Sequence, residues 1–184
     1  GRAVTEQDYK SLIYAMPPQF GAAKRCSIYR DSDSFRRNLN LYVISEDNSG
    51  NLVSTNNTIK QNLKTWIGSN KMINDTIDIL DAKVVNIQIS FDAISAVGTD
   101  KFQVQVNAIE RLKRLFTTKL DIGQPFDISR IYNTLNKTRG IVDVTNVRVT
   151  NKFGGQYSSI GYNIRENTTP DGRLIAAPKN VIYE

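Results

Sequence analysis

The stretch VVNIQISFDAI, residues 84–94, decides the fold class of this chain. Its apolar residues alternate with polar ones, at Val85, Ile87, Ile89 and Phe91. Alternation with period two is typical of a β-strand that has one buried face and one wet face. The sequence therefore predicts, near the middle of the chain, a sheet that is covered on one side only.

Upstream of this strand, the sequence predicts helices and strands in turn. Helices are predicted over residues 6–16 and 57–67, and strands over residues 22–29, 38–45 and 74–80. Thr5 and Asp8 form a variant capping box at the start of the first helix, and Pro17 and Pro18 end that helix. Apolar residues at helical spacing form the buried stripe of the first helix: Tyr9, Leu12, Ile13 and Met16.

Downstream, a helix is predicted over residues 100–117. Its apolar residues step by three and four, which predicts one buried stripe; they are Phe102, Val106, Ile109, Leu112 and Phe116. A shorter helix follows, with Asp127 as its predicted cap. The next strand, residues 141–149, changes phase, which predicts a bulge near Asn146. In the Gly-rich tail, residues 160–165 and 173–177 are predicted to pair as a hairpin.

The order of these elements is α-β-β-α-β followed by β-α-α-β-β. It predicts an α+β fold of two small helix-on-sheet units, ferredoxin-like, with mostly antiparallel strands and a strand-rich C-terminal tail. We expect the first unit to span residues 1–82, the second to span 83–152, and a Gly-rich extension to cover 153–184.

The composition excludes several kinds of enzyme. The 184 residues include no histidine, which removes the commonest general base near neutral pH and the commonest zinc ligand. The single cysteine, Cys26, has apolar neighbours and is predicted to be a buried structural thiol. No apolar run approaches the roughly 18 residues that cross a bilayer. We therefore expect no cofactor, no metal site, no small-molecule substrate and no membrane association.

Two pairs of carboxylates are the remaining candidates for acid–base catalysis, Asp31 with Asp33 and Asp78 with Asp81. No companion motif accompanies either pair, so turn and strand-edge roles are favoured over a hydrolase. Gly154 and Gly155 do not have the spacing of a phosphate-binding loop. The prediction is therefore a protein that is not an enzyme.

A nucleic-acid-binding domain is the serious alternative. The net charge is +6, and basic clusters that could hold phosphates occur at Arg36–Arg37 and at Arg111, Lys113 and Arg114. A basic ferredoxin-like layer can bind RNA by stacking bases on strand aromatics. The wet face of the strand at 84–94 carries no aromatic residue, however, so nucleic acid is the less favoured partner.

The Gly-rich tail suggests a surface for assembly. Phe153, Tyr157, Ile160 and Tyr162 are predicted to lie in strand patches there. A lone hairpin is marginal by itself, and packing on another subunit or joining its sheet would stabilise it. The equally favoured alternative is that this segment folds back on its own unit. These four residues are the predicted interface.

Four segments resemble, in order, the baseplate J-like wedge proteins of contractile phage tails. They are RAVTEQDYKSL at 2–12, FGAAKRCSIYRD at 20–31, TIKQNLKTWIGSNKMINDTIDILDAKVVNIQISF at 58–91 and GQPFDISRIYNTLNKTRGIVDVTNVRV at 123–149. The resemblance covers about residues 2–165, and Gly140–Ile141 replaces the Gly-Val pair that is common in the family. The asparagine-rich sequence is most similar to the C-terminal part of the family's members in T-even bacteriophages.

The resemblance implies a structural role and no catalytic site. Proteins of this family form the baseplate wedge, pair as two copies with another wedge subunit and link wedges into a ring. It implies as partners a second copy of the chain, in a homodimer, and other wedge subunits. It implies a place in the tail baseplate of the virion after assembly in the host cytoplasm. The start at Gly1 and the strand-like last residues predict that the sequence is a piece of a larger protein.

Overall fold

The computed structural model describes residues 1–23, 25–30, 37–176 and 180–184. Asp31, Asp33, Arg36 and Ala177, which figure in the predictions above, lie outside these ranges. The chain divides into two compact units, Gly1–Val84 and Val85–Glu184. The predicted fold class is confirmed, because helices combine with small sheets whose strands pair mostly antiparallel.

The first unit is a sheet built around one long strand. Its elements are α1 (Glu6–Tyr14), β1 (Arg25–Arg30), β2 (Arg37–Glu46), β3 (Leu52–Val53), α2 (Asn57–Gly68), β4 (Asp75–Asp81) and β5 (Lys83–Val85), which reaches the second unit. β2 pairs antiparallel with β1 along its length and with β3 at its end, and it pairs in parallel with β4. The parallel pair is possible because α2 lies between β2 and β4 in the chain.

The core of the first unit confirms the predicted helical stripes. Alternate residues of β2 are buried beneath residues of α1 and α2 that recur at helical spacing. The buried side chains are Leu39, Leu41 and Val43 from β2, Tyr9 and Ile13 from α1, Met16 just after it, and Leu63 and Ile67 from α2. Cys26 is also buried, as predicted.

The capping box at the start of α1 is present. The Asp8 amide donates to Oγ1 of Thr5 at 3.1 Å, and Oδ2 of Asp8 accepts from the Thr5 amide at 2.8 Å. The backbone amides of Thr5 and then Val4, followed by the Thr5 hydroxyl, lower the pKa of Asp8. The helix therefore begins with its free amides satisfied and with a carboxylate near its positive end.

The second unit has a long two-stranded ribbon with helices beside it. Its elements are β6 (Ile87–Ser95), α3 (Lys101–Leu115), β7 (Phe126–Asp127), α4 (Ser129–Asn136), β8 (Ile141–Asn151), β9 (Arg173–Leu174) and β10 (Val181–Tyr183). β6 pairs antiparallel with β8, and the register shifts after Asp92, where Asn146 and Val144 are consecutive partners. This shift is the predicted bulge. The predicted strand at 84–94 is interrupted at Asn86, which separates β5 from β6.

The predicted buried stripe of α3 is largely wrong. The residues that α3 buries are Val104, Ala108 and Leu112, whereas the side chain of Phe102 is 81% exposed. Val106 and Ile109 are also exposed. The face that carries the smaller residues packs inward because the start of β8 lies close against Val104.

Two other predictions for this unit are corrected. Asp127 does not cap α4, because it lies in β7, where it pairs with Arg173 of β9. The predicted hairpin between residues 160–165 and 173–177 does not form, because Leu174 makes its local antiparallel bridge with Thr168 and β9 pairs with β7. Pairing of β7 with β9 thus takes Asp127 away from the helix, and the local pairing of β9 is with residues 167–169. No helix in residues 1–23, 25–30, 37–176 and 180–184 is both long and apolar enough to cross a membrane.

Candidate interaction surface

The four predicted interface residues lie in a loop of the second unit. Residues 152–163 form turns and irregular structure, so the predicted strand patches are wrong. Phe153 is 62% exposed and Tyr157 is 37% exposed. Ile160 and Tyr162 are half-buried and pack on the core of their own unit. The loop therefore folds back at its second half and presents Phe153 and Tyr157 at its tip.

Asn86 holds the start and the middle of this loop. Its carbonyl oxygen accepts from the Lys152 amide at 2.8 Å and from Nδ2 of Asn151 at 3.1 Å. Its Oδ1 accepts from the Ser158 amide at 2.8 Å, and its Nδ2 donates to Oε2 of Glu184 at 3.2 Å. Asn86 falls at a wet position of the alternating pattern, and nothing in the sequence distinguishes it from the other wet positions.

The half-buried part of the loop is held by two tyrosines. The rings of Tyr162 and Tyr183 meet edge to face with centroids 5.8 Å apart, and their hydroxyls are 3.0 Å apart. The Tyr183 hydroxyl donates to the carbonyl oxygen of Ile175. Burial, followed by the neighbouring Tyr162 hydroxyl, raises the pKa of Tyr183 well above its usual range.

The exposed tip carries a cation over an aromatic ring. Nζ of Lys152 lies 4.7 Å from the centroid of the Tyr157 ring. Hydrogen bonds from the Gln156 side chain and then from Lys152 lower the pKa of Tyr157. A cation–π contact at a solvent-exposed ring is a weak attraction, so this one places the lysine over the ring without burying either side chain.

A groove runs between β6 and α3 and is apolar at the end that meets this loop. Two neighbouring depressions of about 460 and 530 Å³ share Ile89, Phe91 and Ile109 in their walls. We call them together the α3–β6 groove. Leu112, Phe116 and Tyr157 complete the apolar lining of the first depression. In the described residues, β6 pairs with β8 alone, whereas β2 has strands on both sides.

The charged side chains at the groove are mostly basic. Lys113, Lys119 and Lys152 line the first depression together with one acid, Glu184. Lys101 and Asp92 line the second depression, and Asp92 pairs with Arg148. Nζ of Lys119 lies 3.2 Å from Oε1 of Glu184, so that pair is neutralised. Neither Lys113 nor Lys152 forms an ion pair with an acidic residue of the described part. An apolar floor with a positive rim is therefore available to a ligand.

Of the two carboxylate pairs predicted as candidates for catalysis, Asp31 and Asp33 lie outside the described residues, and Asp78 and Asp81 make contacts within the first unit. Asp81 binds Nζ of Lys60 at 2.7 Å, and Asp78 accepts from Nδ2 of Asn38 at 3.1 Å. Asp78 and Asp81 are separated by an odd number of positions in β4, so they point to opposite faces of the sheet. Within the described ranges, no group of three or more His, Cys, Asp or Glu side chains could hold a metal ion.

Two of the features that could serve nucleic-acid binding, Arg111 and the wet face of β6, make contacts within the second unit. Arg111 donates to the carbonyl oxygen of Lys137 at 2.9 Å. On the wet face of β6, Asp92 pairs with Arg148 at 3.3 Å. That face presents Gln88 and Ser90 in place of aromatic rings, so it offers no platform for base stacking.

No protein family matches this chain, and no curated protein matches it in sequence. Among solved structures, the fold is similar to that of a chain in the cryo-EM structure of the anti-feeding prophage baseplate, 6-fold symmetrised, with a TM-score of 0.55 and 14% sequence identity. The match covers 82% of this chain and 34% of that chain. At this identity the likeness is one of fold, and this chain spans about one third of its neighbour's length.

Proposed function

We propose that this chain is a structural, non-enzymatic module of the baseplate of a contractile phage tail. The observation that carries the proposal is the likeness of fold, over 82% of the chain, to a chain of the anti-feeding prophage baseplate. The four ordered segments that resemble the baseplate J-like family support the same proposal. The finer assignment to a wedge protein of the T-even type rests on those segments alone.

The role that we propose is association with other wedge subunits and linkage of wedges into a ring, with assembly in the host cytoplasm and a final place in the virion tail. A homodimer is part of this proposal. Phe153 and Tyr157 are its proposed contacts, because both are exposed at the tip of a loop whose base Asn86 holds in place. An exposed aromatic pair on a fixed loop suits a protein interface.

Molar mass by light scattering on a size-exclusion column tests the homodimer directly. We expect a mass near twice 20.7 kDa that persists at high salt, because the proposed contacts are apolar. Phe153→Ser should shift the mass towards that of the monomer. Phe102→Ser, at a phenylalanine on α3 that is more exposed than Phe153, is the control and should leave the mass unchanged.

A monomer at every concentration would overturn the homodimer, and loss of the dimer in the Phe102 variant alone would overturn the proposed contacts. The nucleic-acid alternative is tested on the same sample with a labelled single-stranded oligonucleotide. Binding that falls steeply with salt would favour that alternative, because phosphate contacts release counterions. We expect no such binding.

A further inference from the structure

The parallel pairing of β4 with β2 fixes the direction of each peptide group in β4. Val43 of β2 pairs with Asp81, and the Ala82 amide donates to the carbonyl oxygen of Val43 at 3.1 Å. In a parallel pair, a residue that accepts such a bond is joined to both neighbours of its partner, so the even-numbered residues of β4 bond to β2. The odd-numbered residues, Ile77, Ile79 and Asp81, therefore point their amides and carbonyls away from β2.

These outward peptide groups lie at an edge of the sheet that is open in the described residues. There β4 pairs with β2 alone, and no hydrogen bond joins the amides of Ile77 and Ile79 to another described residue. The opposite edge of the sheet is covered in part, because the Cys26 amide of β1 donates to the Tyr14 hydroxyl at 3.3 Å. An edge strand with unpaired peptide groups can accept a strand from another chain.

Helix α2 places a positive charge over one face of this edge. Nζ of Lys60 lies 2.7 Å from Oδ2 of Asp81, so that side of α2 faces β4. Lys64 follows one turn later on the same side, about 6 Å along the helix, which is the length of about two strand residues. Because α2 links parallel strands, it runs back along β4, and Lys64 comes level with Ile79. Lys64 is exposed and forms no ion pair with an acidic residue of the described part.

The other face of the same edge carries a negative charge. Side chains alternate along β4, so Asp78 points away from α2 while Ile77 and Ile79 point towards it. Asp78 is exposed and accepts a hydrogen bond from Asn38, but it forms no ion pair within the described ranges. Leu80, on the same face, is 40% exposed. The edge therefore presents a cation on its helix side and a carboxylate on its open side.

We propose that the outer edge of β4 binds an extended segment of a partner protein that carries an acidic residue on one face and a basic residue on the other. The segment adds a strand beside Ile77 and Ile79. Its acidic residue lies on the helix side, between two aliphatic residues of that face, and meets Lys64. The basic residue next to it in sequence points to the open side and meets Asp78. This inference deepens the proposed assembly function, on which it rests, by stating the chemistry of one partner.

A partner protein fits this edge better than a second copy of the chain. Two copies joined through β4 would place their α2 helices side by side, so Lys64 would face its own counterpart. β4 contains no lysine or arginine, so the second copy would bring no cation to Asp78 from its own strand. Like charges would then meet on one face and an unpaired carboxylate would remain on the other, which disfavours association.

The test is a binding titration of the whole chain with a synthetic peptide. The probe is a fluorescein-labelled peptide of seven residues, the length of β4, with the sequence Thr-Val-Lys-Glu-Thr-Val-Lys. Its valines and glutamate share one face, and its lysines and threonines share the other. The control peptide exchanges the central lysine and glutamate, so its composition is unchanged and the two charges change faces. Fluorescence anisotropy should give an affinity at least about 10-fold weaker for the control, because each charge then meets a like charge.

The protein variants are Lys64→Glu and a control, Lys10→Glu. Lys10 lies on the side of α1 opposite to Leu12, whose carbonyl oxygen accepts from Nε1 of Trp66 in α2. We expect Lys64→Glu to weaken binding of the first peptide by about 10-fold or more and Lys10→Glu by less than about 2-fold, because screening removes the effect of a distant charge. Lys64→Glu combined with Asp78→Lys should reverse the preference between the two peptides.

Amide hydrogen exchange measured by NMR locates the bound peptide independently of its charge. The amides of Asp78 and Leu80 bond to β2 in the free chain, whereas those of Ile77 and Ile79 point outwards. Saturation with the first peptide should therefore slow exchange at Ile77 and Ile79, where new hydrogen bonds form. Exchange at the two inward amides should change much less.

Four results would overturn the proposal. They are no binding of the first peptide, equal affinity for the two peptides, equal loss of binding in Lys64→Glu and Lys10→Glu, and unchanged exchange at Ile77 and Ile79. The homodimer is tested separately through Phe153 in the second unit, so either proposal can fail while the other stands.

Discussion

A Cβ atom built on Gly140 would lie 2.5 Å from Cγ2 of Val104. Gly140 immediately precedes β8, and Val104 lies on the buried face of α3. The two elements therefore approach so closely that only a residue without a side chain fits at position 140. This contact determines which face of α3 turns inward.

The first prediction concerns Gly140→Ala. The backbone of Gly140 has φ of +92°, so alanine there suffers backbone strain in addition to the clash with Val104. We expect the free energy of unfolding of the second unit to fall by about 2 kcal/mol or more. Urea denaturation followed by near-UV circular dichroism measures it.

Gly98→Ala separates the two causes of that loss. Gly98 has φ of +81°, but a Cβ there would meet nothing within 4 Å. This control should therefore cost only the backbone strain, about 1 kcal/mol. Equal losses in the two variants would show that the approach of Val104 to Gly140 contributes nothing.

The second prediction compares two faces of α3. Val104→Asp places a carboxylate at a buried position and should cost about 3 kcal/mol of unfolding free energy. Phe102→Asp, on the face that the sequence pattern favoured, should change it by less than about 0.5 kcal/mol, since Phe102 is exposed. If Phe102→Asp lowered the unfolding free energy more than Val104→Asp in a thermal or urea melt, the buried face of α3 would be the one predicted from the sequence.

Helices α1 and α3 show which features of this protein its sequence predicts and which it does not. The capping box of α1 depends on Thr5 and Asp8, which are three residues apart, so the sequence alone predicts it. The inward face of α3 depends on Gly140, which lies 36 positions beyond Val104 in the sequence. Both faces have helical spacing, and the pattern favoured the larger apolar residues because it contains no information about the space available.

For the same reason, the local sequence does not predict the interaction surface. Asn86 is hydrogen-bonded to residues that are 65 to 98 positions away in the sequence. The groove lies beside a strand, β6, whose partner in the described residues is β8. Local periodicity identifies β6 as a strand with one apolar face. It does not identify the pairing partners of that strand, because pairing is decided by the whole unit.

The third prediction concerns the buried hydrogen bond between α1 and β4. The Tyr9 hydroxyl donates to Oδ2 of Asp75 at 2.7 Å, and both residues are buried. Tyr9→Phe keeps the ring and removes the donor, which should cost about 1–3 kcal/mol because a buried carboxylate loses a hydrogen bond. Trp66, the only tryptophan in the sequence, reports unfolding of this unit by fluorescence.

Asp75→Asn in the Tyr9→Phe background tests the reason for that loss. The amide carries no charge, so the double variant should lose less stability than the sum of the two single changes. Strict additivity would mean that the hydroxyl and the carboxylate do not interact energetically.

The fourth prediction concerns the acid stability of the first unit. The pKa of Asp8 is lowered in the folded chain, so the folded state favours the ionised carboxyl. The resulting stability is present above the unfolded pKa, about 3.9, and is lost as pH falls through the lower folded pKa. Asp8→Asn removes this contribution, so its Trp66 unfolding midpoint should fall less than that of the wild type between about pH 5 and pH 2. Parallel acid profiles would contradict the capping role.

The last prediction concerns alkaline stability of the second unit. Burial and the Tyr162 hydroxyl raise the pKa of Tyr183, so the folded state favours the neutral phenol. That contribution is present below the unfolded pKa, about 10, and is lost as pH rises above it towards the folded value. Tyr183→Phe removes the titrating group. Its stability should therefore decline less than that of the wild type above about pH 10, after a loss at neutral pH of about 1 kcal/mol for the hydrogen bond to Ile175.

Tyr157→Phe is the matched control, because hydrogen bonds from Gln156 and Lys152 lower the pKa of this exposed tyrosine. A lowered phenol pKa adds stability as pH rises through it, so removal of Tyr157 should make the alkaline decline slightly steeper. Urea melts followed by near-UV circular dichroism between pH 8 and about pH 11 distinguish the opposite signs. If both variants changed the alkaline profile in the same direction, the buried environment of Tyr183 would not be the cause.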